Sequence, residues 1–382
     1  MIRIERLSYC AVAVPLDEPI GFATGDVATR CFGLLKVHDS DGGVGLGYCF
    51  LGNRPVSLVA TAIAELLAPV VLGQETSAVE ILWARMAMAT QLHGRAGAVH
   101  RAMGLIDIAL WDLKARRNGL PLYRQLGGGD RAAVDAYAAG GYYGANKGIP
   151  ELVAELQELR ELGFRAIKIK TGKLTPEAEQ RRVEAARREI GPDADLLLDA
   201  NNAWPDVEAA MRYLRPLEGL NPFWIEEPFV EDDIDALRQL AATSGIRVAT
   251  GENEANPLRF KEILRAGAAA IIQPDATVCG GITPWMRIAA MAANRNVLVC
   301  PHAYHDLHVH LLGAIGSEGW LEFMPGERVM NFGRLITGEL AFSDGRVSLP
   351  AAAGLGFEFD EAAVARHAAG RCPNGGPWHV SA

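Results

Sequence analysis

A chain of 382 residues with 49% hydrophobic content can bury large cores and exceeds the usual length of one domain, so two domains are expected. It carries 46 acidic against 37 basic side chains, a formal net charge of -9 and no lysine or arginine tract, which argues against a nucleic-acid-binding protein. The N-terminus "MIRIERLSYC" lacks a long apolar stretch with a small-residue cleavage site, and no run of about 20 uncharged apolar residues occurs, so no membrane association is expected and the predicted location is the cytoplasm.

In chain order, "CFGLLKVHDSDGGVGLGYCF" (31–50) predicts two strands joined by an Asp-Gly turn. Helical stretches follow, among them "AVHRAMGLIDIALWDLKARRNG" (98–119), so residues 1–128 read as an α+β unit. The loop "PLYRQLGGGDRAAV", with Pro121 and three consecutive glycines, punctuates the chain. From 129 the rhythm changes to short apolar strands alternating with amphipathic helices. Eight strands are predicted, at "VDAYAAG", "RAIKIK", "DLLLDAN", "PFWIEE", "IRVATGE", "AAIIQPD", "NVLVCPH" and "WLEF". Each ends in a polar stretch and all but the last are followed by a helix, at the repeat length of a parallel β/α barrel. An open doubly wound sheet uses similar units. No G-x-G-x-x-G follows an early strand, however, and "GGGD" (127–130) precedes a strand where a dinucleotide fingerprint would open a helix. A barrel of the TIM type over 129–325 is therefore expected. After Glu322 the rhythm breaks, and "RLITGELAFSDGRVSL" (334–349) predicts a hairpin that returns, with the rest of 326–382, to the N-terminal unit.

The cysteines at 10, 31, 49, 279, 300 and 372 show no C-x-x-C spacing, which suggests neither a disulfide framework nor a thiolate zinc site. Reduced, mostly buried thiols are expected, and nothing near Cys300 marks an activated nucleophile.

A parallel barrel gathers the C-terminal ends of its strands at one mouth. Those ends carry Lys168 and Lys170, Asp199 and Asn201, Glu226 and Glu227, Glu252, Asp275, His302, and Glu322. Asp199, Glu226 and Glu252 come from three successive strands and offer oxygen only, which suits a hard divalent cation such as magnesium. One such carboxylate alone reads equally well as a helix cap. Three in succession, with no arginine cluster to match, would repel one another unless a cation lay between them. Lys168 and Lys170 alternate with Ile167 and Ile169 and so enter the mouth on one face while the isoleucines pack outward. An ammonium beside a dication and a second lysine is disfavoured, so one lysine is poised to accept a proton; the blander reading is a pair that neutralises an acidic mouth. Asp275 and His302 end consecutive strands, so an Asp-His hydrogen bond can fix the imidazole tautomer and raise its basicity. The histidines of "PHAYHDLHVH" (301–310) invite a zinc reading. Their stretch reads as a helix, where residues two apart diverge by about 200 degrees and cannot share an ion, so His305, His308 and His310 are expected to be ordinary helix and loop residues.

The motifs "KIK", "DAN", "WIEEP", "GEN", "PDATVCGG" and "PH", with "IDIALWDLKARRNGLPLYRQLGG" before them, resemble in kind and order the mandelate racemase branch of the enolase superfamily, over nearly the whole chain. The resemblance implies a modified (β/α)7β barrel with an N-terminal α+β cap completed by the C-terminal segment. It also implies one Mg2+ per site on Asp199, Glu226 and Glu252, with a lysine or histidine base acting on the proton alpha to a carboxylate. Lys170 resembles the base on one face of the substrate. His302, oriented by Asp275, resembles the acid or base on the other, and Lys168 and Glu322 resemble groups that contact the substrate carboxylate or its developing oxyanion. "PDATVCGG" has no lysine before its glycines, unlike the muconate-lactonizing branch, and Asp199 with Asn201 departs from dehydratases whose third strand reads D-x-H. Tyr48 stands where many relatives carry glutamate, and "AAAGLG" where a proline often precedes the glycine. The expected reaction is dehydration of a sugar acid or hydroxydiacid to a 2-keto acid. Racemisation or epimerisation of a 2-hydroxy acid is the alternative, and a non-catalytic ligand-binding barrel comes third. Substrate contacts are expected from Asn201, from Tyr143 (with Tyr142) in "YAAGGYYG", and from Arg54 in a loop of the cap. Self-association is expected, as is common for barrels with caps.

Overall fold

The computed structural model describes residues 1–316, 318–369 and 378–381. The first three strands, β1 (Ile4–Phe22), β2 (Gly25–Asp39) and β3 (Val44–Gly52), form an antiparallel meander with β2 in the middle. Its central run is apolar without interruption because both faces are covered. Phe32 and Leu34 join the core of the barrel, whereas Leu35 and Val37 join a second core under the cap's own helices. Short turns α1 (Leu58–Thr61) and α2 (Ala68–Val71) lead through α3 (Val79–Ala89) to α4 (Ala98–Arg117) and a final turn, α5 (Leu122–Gln125).

Helix α4 is buried over most of its length, which explains the apolar run "LIDIAL" and the two aspartates within it. Asp112 accepts from the backbone N–H of Leu46 (2.8 Å) and of Leu355 (2.7 Å) and from Arg116 Nε (2.6 Å), tying the meander to the C-terminal segment. Asp107 accepts from the backbone N–H and hydroxyl of Thr283 (2.8 and 2.6 Å), in the first turn of a barrel helix. Two buried carboxylates thus hold the cap, Asp107 to the barrel and Asp112 to the C-terminal segment.

The barrel runs β4 (Ala133–Gly140), α6 (Ile149–Glu161), β5 (Ala166–Lys170), α7 (Pro176–Ile190), β6 (Asp195–Asp199), α8 (Val207–Leu214), β7 (Trp224–Glu226), α9 (Ile234–Thr243), β8 (Arg247–Thr250), α10 (Pro257–Ala266), β9 (Ile271–Ile272), α11 (Ile282–Ala293), β10 (Leu298–Val299), α12 (His305–Ala314) and β11 (Leu321–Phe323). Strands β4 to β10 pair in parallel with their sequence neighbours, and β11 pairs in parallel with β4, so the sheet returns to its first strand. This is the (β/α)7β barrel with an N-terminal cap that the resemblance implies. Helix starts follow from local chemistry: Thr175, Asp206, Asp233 and Asn256 accept from backbone N–H groups of the first turn, and Pro176 and Pro257 open their helices. Left-handed backbone at Asn201, Asn202, Glu227, Ala303 and Tyr304 turns the chain sharply after β6, β7 and β10, which keeps the polar strand ends at the mouth.

The C-terminal segment departs from expectation in one respect. After β12 (Ile336–Thr337), the hairpin of β13 (Phe342–Ser343) and β14 (Arg346–Ser348) pairs antiparallel with β4, Val347 opposite Val134, and so extends the barrel sheet where the cap was expected. The return to the cap comes later. Strand β15 (Glu358–Phe359) pairs with β12, α13 (Glu361–His367) leads on, and β16 (His379–Ser381) pairs with β1. Cys31, Cys49, Cys279 and Cys300 are free and buried, and Cys10 is buried; Cys372 lies outside the described residues. Tyr48, the departure noted in the sequence, stacks on Phe332 at 4.0 Å between cap and barrel. No helix among the described residues is long and apolar enough to cross a membrane.

Close approach of β3 to α4 depends on glycine. A Cβ on Gly47 would stand 2.2 Å from the carbonyl oxygen of Leu105, a backbone atom that cannot rotate away. Gly47→Ala is expected to lower stability by roughly 1–3 kcal/mol, the cost of overpacking a tight interface, read as a fall in melting temperature; an unchanged melt would contradict this packing.

Candidate active site

The ends of β5 to β8 bring two cations and three anions into one buried volume. Lys168, 1% exposed, places Nζ 2.6 Å from Glu226 Oε1, 2.7 Å from Glu322 Oε1 and 3.5 Å from Asp199 Oδ2. Lys170 bonds Asp199 Oδ2, and its ammonium lies 4.9 Å from the ring of Tyr142 and 5.1 Å from that of Phe22. The strand register explains this: Lys170 is directly opposite Asp199, and Asp199 opposite Glu226.

Asp199, Glu226 and Glu252 each offer a carboxylate oxygen, and these atoms all lie within 4.8 Å of one another. Two features test whether a dication fits. Among the described residues Glu252 Oε2 is sealed from solvent without a hydrogen-bond partner, its nearest cationic neighbour being His302 Nε2 at 3.6 Å. Glu226, by burial and then by the charge of Asp199, is pushed well above the usual carboxylate range even with Lys168 against it. Positive charge is thus in deficit where oxygen donors converge, and the donor set suits Mg2+.

The protein's own charges hold the lysines in the ammonium form. Burial favours the neutral amine, but Glu226 and Glu322 around Lys168, and Asp199 beside Lys170, override it and raise both pKa values; Lys168 works the other way on Lys170. The sequence reading of one lysine already poised as a base weighed cation against cation. It did not foresee that each ammonium would have a carboxylate in direct contact.

Across the mouth, His302 Nδ1 is 3.0 Å from Asp275 Oδ2, while Asp275 Oδ1 accepts from the backbone N–H of Thr277 at 2.7 Å. Burial opposes the imidazolium, but the charge of Glu252 and the Asp275 hydrogen bond raise the pKa of His302 to about 10. Glu322 accepts from the backbone N–H of Ala303 at 2.7 Å, fixing the turn that follows His302. The other histidines point elsewhere. His308 bonds the Ala303 carbonyl and the Ala276 N–H, and His310 the Tyr123 N–H and the Leu355 carbonyl, so the two serve different contacts and share no ion.

Lys168, Lys170, Asp199, Glu226, Glu252, Asp275, His302 and Glu322 are therefore assembled at one mouth. Asn201 joins them at the rim, its backbone N–H on Asp199 and its side-chain oxygen buried without a partner among the described residues. Two residues expected to contact substrate have these settings in the structure. The Tyr143 hydroxyl donates to Glu179 (2.5 Å) and accepts from the Lys173 N–H, and its ring lies under Arg182, so it is committed to α7. Gly141, with φ of 61°, turns the chain so that Tyr142, its neighbour, faces Lys170. Arg54 is exposed on the loop after β3. Missed from sequence was Phe22, at the tip of the β1–β2 hairpin; Glu227, placed among the strand ends but given no role, accepts from Thr250 Oγ1 (2.5 Å) and the Gly251 N–H (2.9 Å) and so braces Glu226 beside it. The doubled acid in "WIEEP" was the only signal for that role. A cavity of about 860 Å³ lies at the opposite end of the barrel, by Arg131, Asp135 and Trp320, and holds none of these groups.

Comparison with known proteins agrees with this geometry. Residues 5–127 match the N-terminal domain model of mandelate racemase / muconate lactonizing enzyme, and residues 151–363 match the enolase C-terminal domain-like model. The chain is 33% identical over 371 residues to a 3,6-anhydro-alpha-L-galactonate cycloisomerase of Streptomyces coelicolor, covering 96% of this chain and 100% of that protein. It is 32% identical over 370 residues to an L-talarate/galactarate dehydratase of Salmonella typhimurium, covering 94% and 90%. A crystal structure of an L-talarate/galactarate dehydratase mutant with Mg and L-glucarate superposes with a TM-score of 0.88 at 31% identity, covering 96% and 92% of the two chains. The carboxylate triad on β6, β7 and β8, the paired lysines of β5 and the Asp275–His302 pair accordingly sit in a chain that belongs to the mandelate racemase/muconate lactonizing enzyme family of the enolase superfamily.

Proposed function

We propose that this protein is a Mg2+-dependent hydro-lyase that removes the proton alpha to the carboxylate of a sugar acid and then expels the neighbouring hydroxyl, leaving a 2-keto acid. The observation that carries the reading is the placement of two different proton carriers, Lys170 and His302, on opposite sides of one carboxylate triad. Asp199, Glu226 and Glu252 hold one Mg2+, which when bound stabilises negative charge developing on the substrate carboxylate.

The remaining work falls to side chains. Lys168, locked between Glu226 and Glu322, cannot rotate and presents fixed positive charge to an oxyanion. Lys170 is the base; it must be neutral to accept the proton, and although burial and the charge of Lys168 favour the neutral amine, Asp199 holds it as the ammonium here, so it would serve as base once Asp199 was engaged by the ion. His302, held by Asp275 and charged, is the acid that protonates the departing hydroxyl so that it leaves as water. Phe22 and Tyr142 flank the Lys170 ammonium with apolar surface and restrict water there. Asn201, with an uncommitted amide oxygen, suits a substrate hydroxyl. Racemisation is the second reading, because the same two carriers can exchange protons on opposite faces of one carbon.

The division into a cap of 1–128, a barrel of 129–325 and a returning segment of 326–382 belongs to the same proposal, supported by the pairing of β16 with β1. A cytoplasmic location is supported by the free buried thiols of Cys31, Cys49, Cys279 and Cys300. Self-association is supported by Ile81, Met88 and Leu92, exposed at 57%, 78% and 95% on and just after α3.

In deuterium oxide with Mg2+ and a sugar-acid panel, proton NMR of wild type should show a 2-keto acid. His302→Asn should still exchange the alpha proton but form product at least about 10²-fold more slowly, and Lys170→Ala should lose both by a similar factor or more. Deuterium at the alpha carbon without keto acid would replace dehydration by racemisation, and equal turnover by all three proteins would remove both residues from their roles. Glu252→Gln, which keeps shape but removes one anionic ligand, should weaken Mg2+ binding by about 10-fold or more in calorimetry; unchanged affinity would mean that the ion sits elsewhere.

A further inference from the structure

The cap delivers one more cation to the mouth, and it came from a strand where no functional residue was expected. Arg30, in β2, is 7% exposed. Its Nε donates to the Val329 carbonyl at 3.2 Å, and its guanidinium lies 5.6 Å from the ring of Phe22 and 5.5 Å from that of Phe50. Among the described residues no carboxylate reaches it, and neither terminal nitrogen is among the buried atoms sealed without a partner, so both open onto space that solvent or a ligand can enter. A guanidinium carries five donors, of which the protein uses one.

Burying a charge without a counter-ion is costly, and fold stability alone gives no reason for it, because a leucine or methionine between two phenylalanines would pack as well. Position supplies the reason. Phe22 carries Arg30 on one side and the Lys170 ammonium, 5.1 Å from the same ring, on another. The two cations are therefore at most about 11 Å apart. An extended six-carbon chain spans roughly 6 Å and needs about 3 Å more at each end for a hydrogen bond. Tyr142 and Tyr304, from the loops after β4 and β10, both feel the Arg30 charge, so the guanidinium faces the barrel loops that frame the mouth.

We propose that Arg30 binds the carboxylate at the far end of the substrate, so that the preferred substrates are dicarboxylic six-carbon sugar acids (aldarates) over their monocarboxylic counterparts (aldonates). The planar fork suits a bidentate pair with a carboxylate, and the aromatic walls exclude the water that would screen it. This deepens the proposed function and assigns to Arg30 the contact that sequence reading gave to Arg54.

The test uses the full chain with Mg2+ and the Lys170→Ala change to stop chemistry. Binding of matched pairs (galactarate and galactonate, glucarate and gluconate, mannarate and mannonate) is measured by calorimetry. At least one aldarate should bind about 10-fold or more tightly than its aldonate. Adding Arg30→Met should weaken that aldarate by about 30-fold or more while moving the aldonate by less than about 3-fold, and Arg30→Lys should recover part of the loss. Melting temperatures without sugar acid report on folding; should the methionine variant fail to fold, the parent's preference and the lysine variant decide. No aldarate preference in the parent, no binding of either class, or equal weakening of both classes by the Arg30 changes would overturn the proposal. Alpha-proton exchange by wild type is scored separately. Arg30-dependent aldarate binding without exchange would refute the proposed reaction and leave this inference standing, and exchange with no aldarate preference would do the reverse.

Discussion

Repulsion among carboxylates at the ends of β6, β7 and β8 is the constraint around which the rest of the molecule is arranged. Three acids, Asp199 and Glu226 buried and Glu252 half-buried, whose oxygens lie within 4.8 Å of one another are unfavourable without compensation. The protein compensates in part, through Lys168 wedged between Glu226 and Glu322 and Lys170 against Asp199. The remainder is left for a dication, and that unfinished balance is what makes the site able to stabilise a further negative charge on a substrate.

Rigidity elsewhere serves this balance. Glu227 is braced by Thr250, Gly251 and Asn202 so that Glu226 beside it cannot turn away from the cluster. Asp275 is fixed by Thr277, and His302 by Asp275. On a larger scale, Asp107 of α4 docks the cap on α11 of the barrel and Asp112 ties β3 to the C-terminal segment, and docking brings Phe22 against Lys170. The cap is thus the part of the fold that can vary what is bound while the barrel keeps the proton chemistry constant.

The eight barrel strands and the triad were legible in the sequence for one reason. Strands buried on both faces are short apolar runs, and a functional mouth ends each in a polar residue, so "DLLLDAN" and "PFWIEE" announce strand and ligand together. The Asp275–His302 pair was legible because consecutive strands end beside each other. What was hidden depends on tertiary placement. The two-residue strand of Phe342 and Ser343 carries no mark of its partner, so its hairpin's addition to β4 could not be foreseen. Tyr142 and Tyr143 are adjacent and chemically alike, and only the turn at Gly141 decides which faces Lys170. Arg30 sits in a strand of the cap, where an arginine reads as a solvated side chain until two aromatic rings are seen to enclose it. Arg54, in a loop, looked the better candidate for the opposite reason.

Where the ion binds decides whether the carboxylate triad has the role given to it. In a crystal grown with Mn2+ in place of Mg2+, anomalous scattering should place one ion in contact with Asp199, Glu226 and Glu252 together, with Lys170 and His302 on either side of its open positions. An ion bound by other residues, or a triad that remains apart with Lys170 directed away from it, would contradict the account.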